Sequence, residues 1–269
     1  MTSSVKWPVS FSPSQLHALR QLRQHWREVP FALVGASALS CFYDCRWRRT
    51  QDLDLVVSLE LVGPDASLDP LPSGWAQNPL LEHEWVSPDG VKLDVLPAGP
   101  ELLSAGVIEW PRSGQRMSLL GFRHVFARCV EVALAPDLDV PVAPPVVLAL
   151  LKMVAYLDRP HARQRDLQDL AYLLHEYVAD DDPRRWAEPV LDAGLRYEDV
   201  AAFLLGQDLR TLLDAAERAA VGRFLSKAQD ERDAHATRQH LLRLGPPIWN
   251  EEEQRLTTLL CAVRRGLEG

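Results

Sequence analysis

What is scarce in this chain narrows its chemistry before any motif is read. Four cysteines in 269 residues are too few for a disulfide framework. No Cys-x-x-Cys pair and no histidine cluster at zinc spacing occurs, which excludes the common zinc modules. Cys41 and Cys45 stand one helical turn apart, and reduced, partly buried thiols are the expectation for all four. No run approaches the roughly 18 apolar residues of a membrane span. The first residues, MTSSVKWPVSFSPSQ, lack the basic-then-apolar order of a signal peptide, so a soluble, cytoplasmic protein is expected. Internal repeats and low-complexity tracts are absent, and no Arg-x4-His stretch makes a convincing ribonuclease motif. Positive charge is also short: the net charge is −8 and the pI about 5.5, which argues against broad, non-specific nucleic-acid binding. Residues 1–50 are the exception. Lys6, Arg20, Arg23, Arg27, Arg46, Arg48 and Arg49 face only Glu28 and Asp44 there, so an anionic partner near this end stays open beside the reading as solvated helix faces.

Hydrophobic residues make up 47% of the chain, enough for one large core or two ordinary ones. Ser-Pro followed by Leu16, Leu19, Leu22 and Trp26 predicts an amphipathic helix. FALVG predicts a short buried strand, SALSCFYDCRWR a helix, and DLDLVVSLEL a second strand. LEHEWVSPDGVKLDVLPAG reads as a β-hairpin around Pro-Asp-Gly. A loop is expected over Gly63–Gly74, and further strand over Leu119–Val142 with a turn at Pro136-Asp137. From the double proline at 144–145 onward the pattern is helical almost throughout. The expected architecture is α+β: a mixed sheet with flanking helices over residues 1–142, then an all-helical domain over 143–269.

The chemistry concentrates between Ala32 and Val57. Side chains two apart on a strand share a face, so Asp52 and Asp54 point one way while Leu53 and Leu55 point into the core. On the hairpin strand Val91, Leu93 and Val95 take one face and leave Asp94 on the other. If the two strands pair, three carboxylates meet and need cations between them. Mg²⁺ fits, because it prefers oxygen ligands and shares its shell with substrate phosphates, and two such ions can clamp a phosphoryl displacement. The Gly35-Ala36-Ser37 turn supplies the complement. Gly35 permits close backbone approach, and helix-start amides with the Ser37 hydroxyl suit a triphosphate. Taken singly, Asp-x-Asp is more often a plain strand end.

Together these stretches, VGASAL…RRTQDLDLVV, resemble the DNA polymerase β-type nucleotidyltransferase superfamily, and specifically its AbiEii/AbiGii-type branch. Arg48 or Arg49, Thr50, Asp52 and Asp54 fall on that branch's Arg-x-Thr-x-Asp-hydrophobic-Asp run, and VKLDVLPAG on its third acidic strand. LLKMVAYLDRPHARQRDLQDLAYLL is similar to a further feature, a helical lysine followed by an arginine-rich loop and Arg-Asp-x-x-Asp-Leu. Lys152, Arg163, Arg165, Asp166 and Asp169 occupy those positions. The turn is Gly-Ala-Ser where Gly-Gly or Gly-Ser is commoner, a small change. The resemblance spans roughly residues 30–175.

The resemblance implies transfer of a nucleoside monophosphate from a nucleoside triphosphate, with Asp52, Asp54 and Asp94 as Mg²⁺ ligands and Asp94 also taking the acceptor's proton. It implies that Gly35, Ala36, Ser37, Lys152, Arg163 and Arg165 bind the nucleotide, that Asp166 contributes to the active site, and that the helical domain completes the cleft. Asp169 is expected to pair with Arg163 or Arg165. It further implies a toxin with a cognate antitoxin, and tRNA as acceptor. Read from the residues alone, Lys152 is either a snorkelling surface lysine or an anion contact, and Asp166 and Asp169 complement a helix dipole. His161 reads as a solvated loop residue, and His124, His175 and His240 have no legible partner. Two alternatives remain: a small molecule or protein side chain as acceptor, or a nucleotide-binding module without catalysis.

Overall fold

Ser12 opens the helix α1 (Pro13–His25) with a reciprocal cap. The Gln15 amide donates to Ser12 Oγ at 3.2 Å, and the Ser12 amide donates to Gln15 Oε1 at 2.8 Å. The computed structural model describes residues 11–45, 52–61, 71–160, 162–229, 234–244 and 253–269. The expectations placed on Lys6, Arg46, Arg48, Arg49, Thr50, His161, most of the 63–74 loop and the His240 side chain lie outside this description. Ala18, Leu19, Leu22 and Trp26 form the buried face of α1. On its outer face Arg20 makes a two-pronged bond to Asp137, both contacts 2.8 Å.

The chain divides into two compact units, Met1–Leu148 and Ala149–Gly269. In the first, β1 (Phe31–Val34) is buried at all four positions and leads into α2 (Gly35–Ser40). The helix predicted over residues 37–48 stops at Ser40. Ser40 Oγ donates to the Ser37 carbonyl at 2.6 Å and Cys41 Sγ donates to it at 3.5 Å, so side chains take the acceptor that the next helical turn requires. β2 (Leu53–Val57) follows, then a short β3 (Ala76–Gln77) and the predicted hairpin, β4 (Glu84–Val86) and β5 (Lys92–Pro97). After α3 (Pro100–Ala105) comes a separate ribbon of β6 (Val107–Glu109) and β7 (Arg116–Ser118). The strand expected from Leu119 is interrupted by α4 (Arg123–Arg128). Phe122 and Val125, three apart and both buried, set a helical period there rather than a strand period. β8 (Val130–Ala135) and β9 (Leu138–Val142) then form a hairpin around Pro136-Asp137.

The sheet order is β3-β4-β5-β2-β1-β9-β8. β1 pairs antiparallel with β2 and parallel with β9, and β2 pairs parallel with β5. The two chemically loaded strands are thus neighbours at the sheet centre. The fold is α+β with a mixed sheet.

α5 (Pro145–Asp158) crosses the division between the units. The second unit continues with α6 (Gln164–Glu176), α7 (Glu188–Asp192), α8 (Val200–Leu212), α9 (Ala215–Gln229), α10 (Ala234–Leu244) and α11 (Glu253–Glu268), with short 3-10 turns at Pro183–Trp186 and Tyr197–Asp199. α8 and α11 cross where Gly206 and Gly266 meet. A Cβ on Gly206 would lie 2.2 Å from the Val263 carbonyl oxygen, and one on Gly266 would lie 2.1 Å from that of Phe203. Among the described residues no helix is long and apolar enough to cross a membrane.

Candidate active site

β2 reaches its place because Leu53, Leu55, Val56 and Val57 are fully buried, which leaves Asp54 as its half-buried polar position. β5 alternates in the same way: Leu93 and Val95 are buried, while Asp94 lies on the opposite, partly open face. Asp54 and Asp94 are register partners across the parallel pair, so their side chains leave the sheet on one face. The hairpin adds a residue that sequence reasoning missed. Glu84 on β4 is the register partner of Asp94, which extends the acidic row across three adjacent strands. A hairpin centred on Asp89 dictates that pairing, so the turn position was the available signal. The Glu84 carboxylate accepts from the Asn78 side-chain amide at 2.7 Å.

Asp52 departs from expectation. It lies one residue ahead of β2, exposed and outside the strand pairing. Among the described residues, no three His, Cys, Asp or Glu side chains are gathered closely enough to hold a metal ion. The structure therefore brings together Asp54 and Asp94, and does not gather Asp52 with them into the three-carboxylate cluster foreseen.

The glycine turn lies directly against this pair. Val34 is the register partner of Asp54 on the other side of β2, and Gly35 follows it with φ +68°. A Cβ at Gly35 would sit 2.0 Å from Asp54 Oδ2, so the carboxylate occupies the space that the missing side chain leaves. No side chain caps the start of α2. Ser37 is almost wholly buried, and its hydroxyl donates to the Val34 carbonyl at 3.3 Å. The hydroxyl expected to face a triphosphate is turned inward.

The donor chemistry of Asp54 and Asp94 suits Mg²⁺. Two carboxylates side by side are an all-oxygen set for a hard cation that takes its remaining ligands from water and substrate phosphates. Like charges in adjacent strands otherwise repel.

The second unit holds the other expected residues. Lys152 on α5 is 5% exposed, so it does not snorkel to the surface. Its ammonium lies 3.2 Å from Asp166 Oδ1 and 2.5 Å from Asp169 Oδ2. Asp169, expected to pair with Arg163 or Arg165, is fully buried and pairs with Lys152 instead. Helix geometry explains the exchange: Asp166 and Asp169 stand three apart on one face of α6 beside the core leucines 167, 170 and 174, and that face turns inward. Arg163 sits just before α6 and Arg165 in its first turn, both exposed.

No disulfide links the four cysteines, and burial, aided by the neighbouring Cys45, pushes the Cys41 thiol up to about 12.

The model of the family described as nucleotidyl transferase AbiEii toxin, type IV toxin–antitoxin system, matches residues 17–257. This chain belongs to the AbiEii family. The match takes in both units, from α1 into α11, and so includes the Gly35 turn, the paired aspartates and the Lys152 cluster. No curated protein matches the chain. Among solved structures, a crystal structure of an antigenic nucleotidyltransferase-like protein from Paracoccidioides brasiliensis is similar at 17% identity and a TM-score of 0.40, over 61% of this chain and 77% of that one. As an AbiEii-family member the chain is a nucleotidyltransferase of the toxin–antitoxin type.

Proposed function

We propose that this chain transfers a nucleoside monophosphate from a nucleoside triphosphate to the 3′ end of tRNA, with Mg²⁺, as the toxin of a toxin–antitoxin pair. The observation that carries the transferase chemistry is the register of Asp54 with Asp94, with Asp54 lodged against Gly35. The acceptor and the antitoxin follow from the family and the resemblance.

In this reading Asp54 and Asp94 hold the cation, and Asp52 joins them when substrate is bound. Mg²⁺, when bound, withdraws charge from the phosphate oxygens and acidifies the acceptor hydroxyl. The acceptor oxygen bonds to the α-phosphorus, the bond from that phosphorus to the bridging oxygen of pyrophosphate breaks, and pyrophosphate leaves. Asp94 accepts the hydroxyl proton. The backbone amides of Gly35, Ala36 and Ser37 receive the triphosphate and steady the departing charge. The acceptor's negative backbone is met locally by the basic N-terminal segment, since the chain as a whole is acidic.

Incubation of the purified protein with each labelled nucleoside triphosphate, Mg²⁺ and either total RNA or cell extract, beside Asp54→Asn and Asp52→Ala variants, tests this. Label on tRNA, absent with either variant or with EDTA, is the expected result. Label on protein or on a small molecule replaces the acceptor and keeps the chemistry. Nucleotide binding without pyrophosphate release overturns the enzymatic reading.

A further inference from the structure

Large apolar side chains left open to solvent are few, and they are not scattered. Among the described residues, three of the four lie within residues 186–197 of the second unit: Trp186 at 63% exposure, Leu191 at 61% and Tyr197 at 43%. A single exposed apolar residue is ordinary, but a local group of them marks a surface that another molecule covers. The Trp186 and Tyr197 rings are neighbours, with centroids 5.9 Å apart. Trp186 ends its 3-10 turn, and Leu191 follows on α7, where the Val190 and Leu191 amides donate back to the Ala187 carbonyl at 2.9 and 3.1 Å.

The aromatic pair is held in place by buried and polar partners. The Arg185 guanidinium is buried and donates to the Ala179 and Val178 carbonyls, both at 2.9 Å, and to that of Tyr197 at 3.4 Å. Its central carbon lies 4.7 Å from the centre of the Tyr197 ring, a cation–π contact. The Tyr197 hydroxyl donates to Asp180 at 2.9 Å. Rings fixed in this way lose little freedom when covered, which is what a binding anchor requires.

The surroundings decide what can cover them. Residues 176–199 hold eight aspartates and glutamates against three arginines, and those arginines are engaged. Arg184 pairs with Asp182 and Asp208, at 3.0 and 2.9 Å, Arg185 is buried on its carbonyls, and Arg196 lies 3.5 Å from Glu198. The Asp180 side chain, beside the Tyr197 hydroxyl, is 88% exposed, and Glu188 at the start of α7 is exposed as well. Such charge repels nucleic acid, and a second copy of a chain with net charge −8 brings more of the same sign. It attracts a cationic polypeptide, whose guanidinium or ammonium groups also suit the face of an open indole.

We propose that the face formed by Trp186, Leu191 and Tyr197 is a docking surface for a basic, partly apolar segment of a partner protein, with Trp186 as its anchor and Asp180 and Glu188 as rim charges. This docking is independent of the nucleotidyl-transfer chemistry.

The probe is a short labelled peptide of arginine, alanine and leucine in equal parts, titrated by fluorescence anisotropy against the full chain. A peptide with glutamate in place of arginine and a short single-stranded DNA serve as controls. The wild type binds the arginine peptide, and the affinity falls as salt rises. Trp186→Ala lowers that affinity by about tenfold or more. Asp180→Asn with Glu188→Gln lowers it by about threefold and flattens the salt dependence. Leu80→Ala, at an exposed apolar residue of the first unit, leaves it unchanged. All four positions are exposed, and thermal unfolding by circular dichroism verifies that each variant is folded. Failure of the wild type to bind the arginine peptide, equal binding of the glutamate peptide, or an unchanged affinity in Trp186→Ala overturns the proposal. So does DNA binding that depends on Trp186, which would make nucleic acid the occupant. Self-association in sedimentation that Trp186→Ala abolishes overturns it too, because a second copy, through its basic residues 1–50, would then be the occupant.

Discussion

At Gly35 a hydrogen atom stands where any other residue would place carbon, and the Asp54 carboxylate fills the difference. Substitution to alanine meets two obstacles: a positive φ of +68° that L-residues adopt at a cost, and a contact of 2.0 Å with Asp54 Oδ2. Backbone strain of this kind costs about 1–3 kcal/mol, readable by urea denaturation. The displaced carboxylate loses its register with Asp94, so Gly35→Ala reduces transfer by about 100-fold or more, a loss out of proportion to its stability change. A companion measurement addresses the cation. Calorimetric titration with Mg²⁺ gives a binding heat for the wild type that Asp54→Asn and Asp94→Asn each abolish. Retained heat in both variants would place the metal elsewhere.

Among the elements, α3 and the α8–α11 pair show how small residues admit functional groups and backbones. Glu60 accepts from the amides of Glu101 and Leu102, at 2.8 and 3.1 Å, and so caps α3 from a distant part of the chain. Gly99 makes room for it, since a Cβ there would lie 2.1 Å from Glu60 Oε1. Glu60→Ala removes this cap and lowers stability by about 1 kcal/mol, measurable as a shift in the denaturation midpoint. In the second unit, Gly206→Ala forces a methyl group against the backbone of α11. With no flexible side chain there to yield, the helices must separate, at about 1–3 kcal/mol. Thermal unfolding followed by circular dichroism checks this, and an unchanged midpoint would mean that α8 and α11 are not packed so closely.

For the whole molecule, acid is the condition to which folding responds most directly. Burial, reinforced by Arg255, pushes His175 down to about 4 from its ordinary 6.5. Protons therefore bind the unfolded chain in preference to the folded one. The stability held by the neutral ring is complete above about pH 6.5 and drains as pH falls toward about 4. Its size is at most about 3 kcal/mol, less in proportion to the solvent the ring retains. Urea denaturation at pH 7.5 and 4.5 measures it, and His175→Gln flattens that part of the profile. An equally steep loss in the variant would assign the acid sensitivity to carboxylates. Because the chain forms two compact units, both units are followed separately, so that an early loss in the helical one is not averaged away.

Local pattern alone determined much of this protein. The Ser-Pro helix start, the buried strand at 31–34, the Pro-Asp-Gly hairpin and the helical tail were legible because each rests on neighbours within a few residues, as was the polar face that Asp54 and Asp94 each take on its own strand. The resemblance in Gly-Ala-Ser and Asp-x-Asp was legible for the same reason. Tertiary structure alone decided which strands became neighbours, and with that whether two aspartates 40 positions apart would meet. It also decided that Asp52 stays outside their row, that Glu84 joins it, that the Ser37 hydroxyl turns inward, and that Asp169 takes Lys152 rather than an arginine. Those outcomes depend on burial. A charged group's partner is fixed by which side of a helix or sheet the packed core closes over, and that is a property of the whole fold rather than of spacing along the chain.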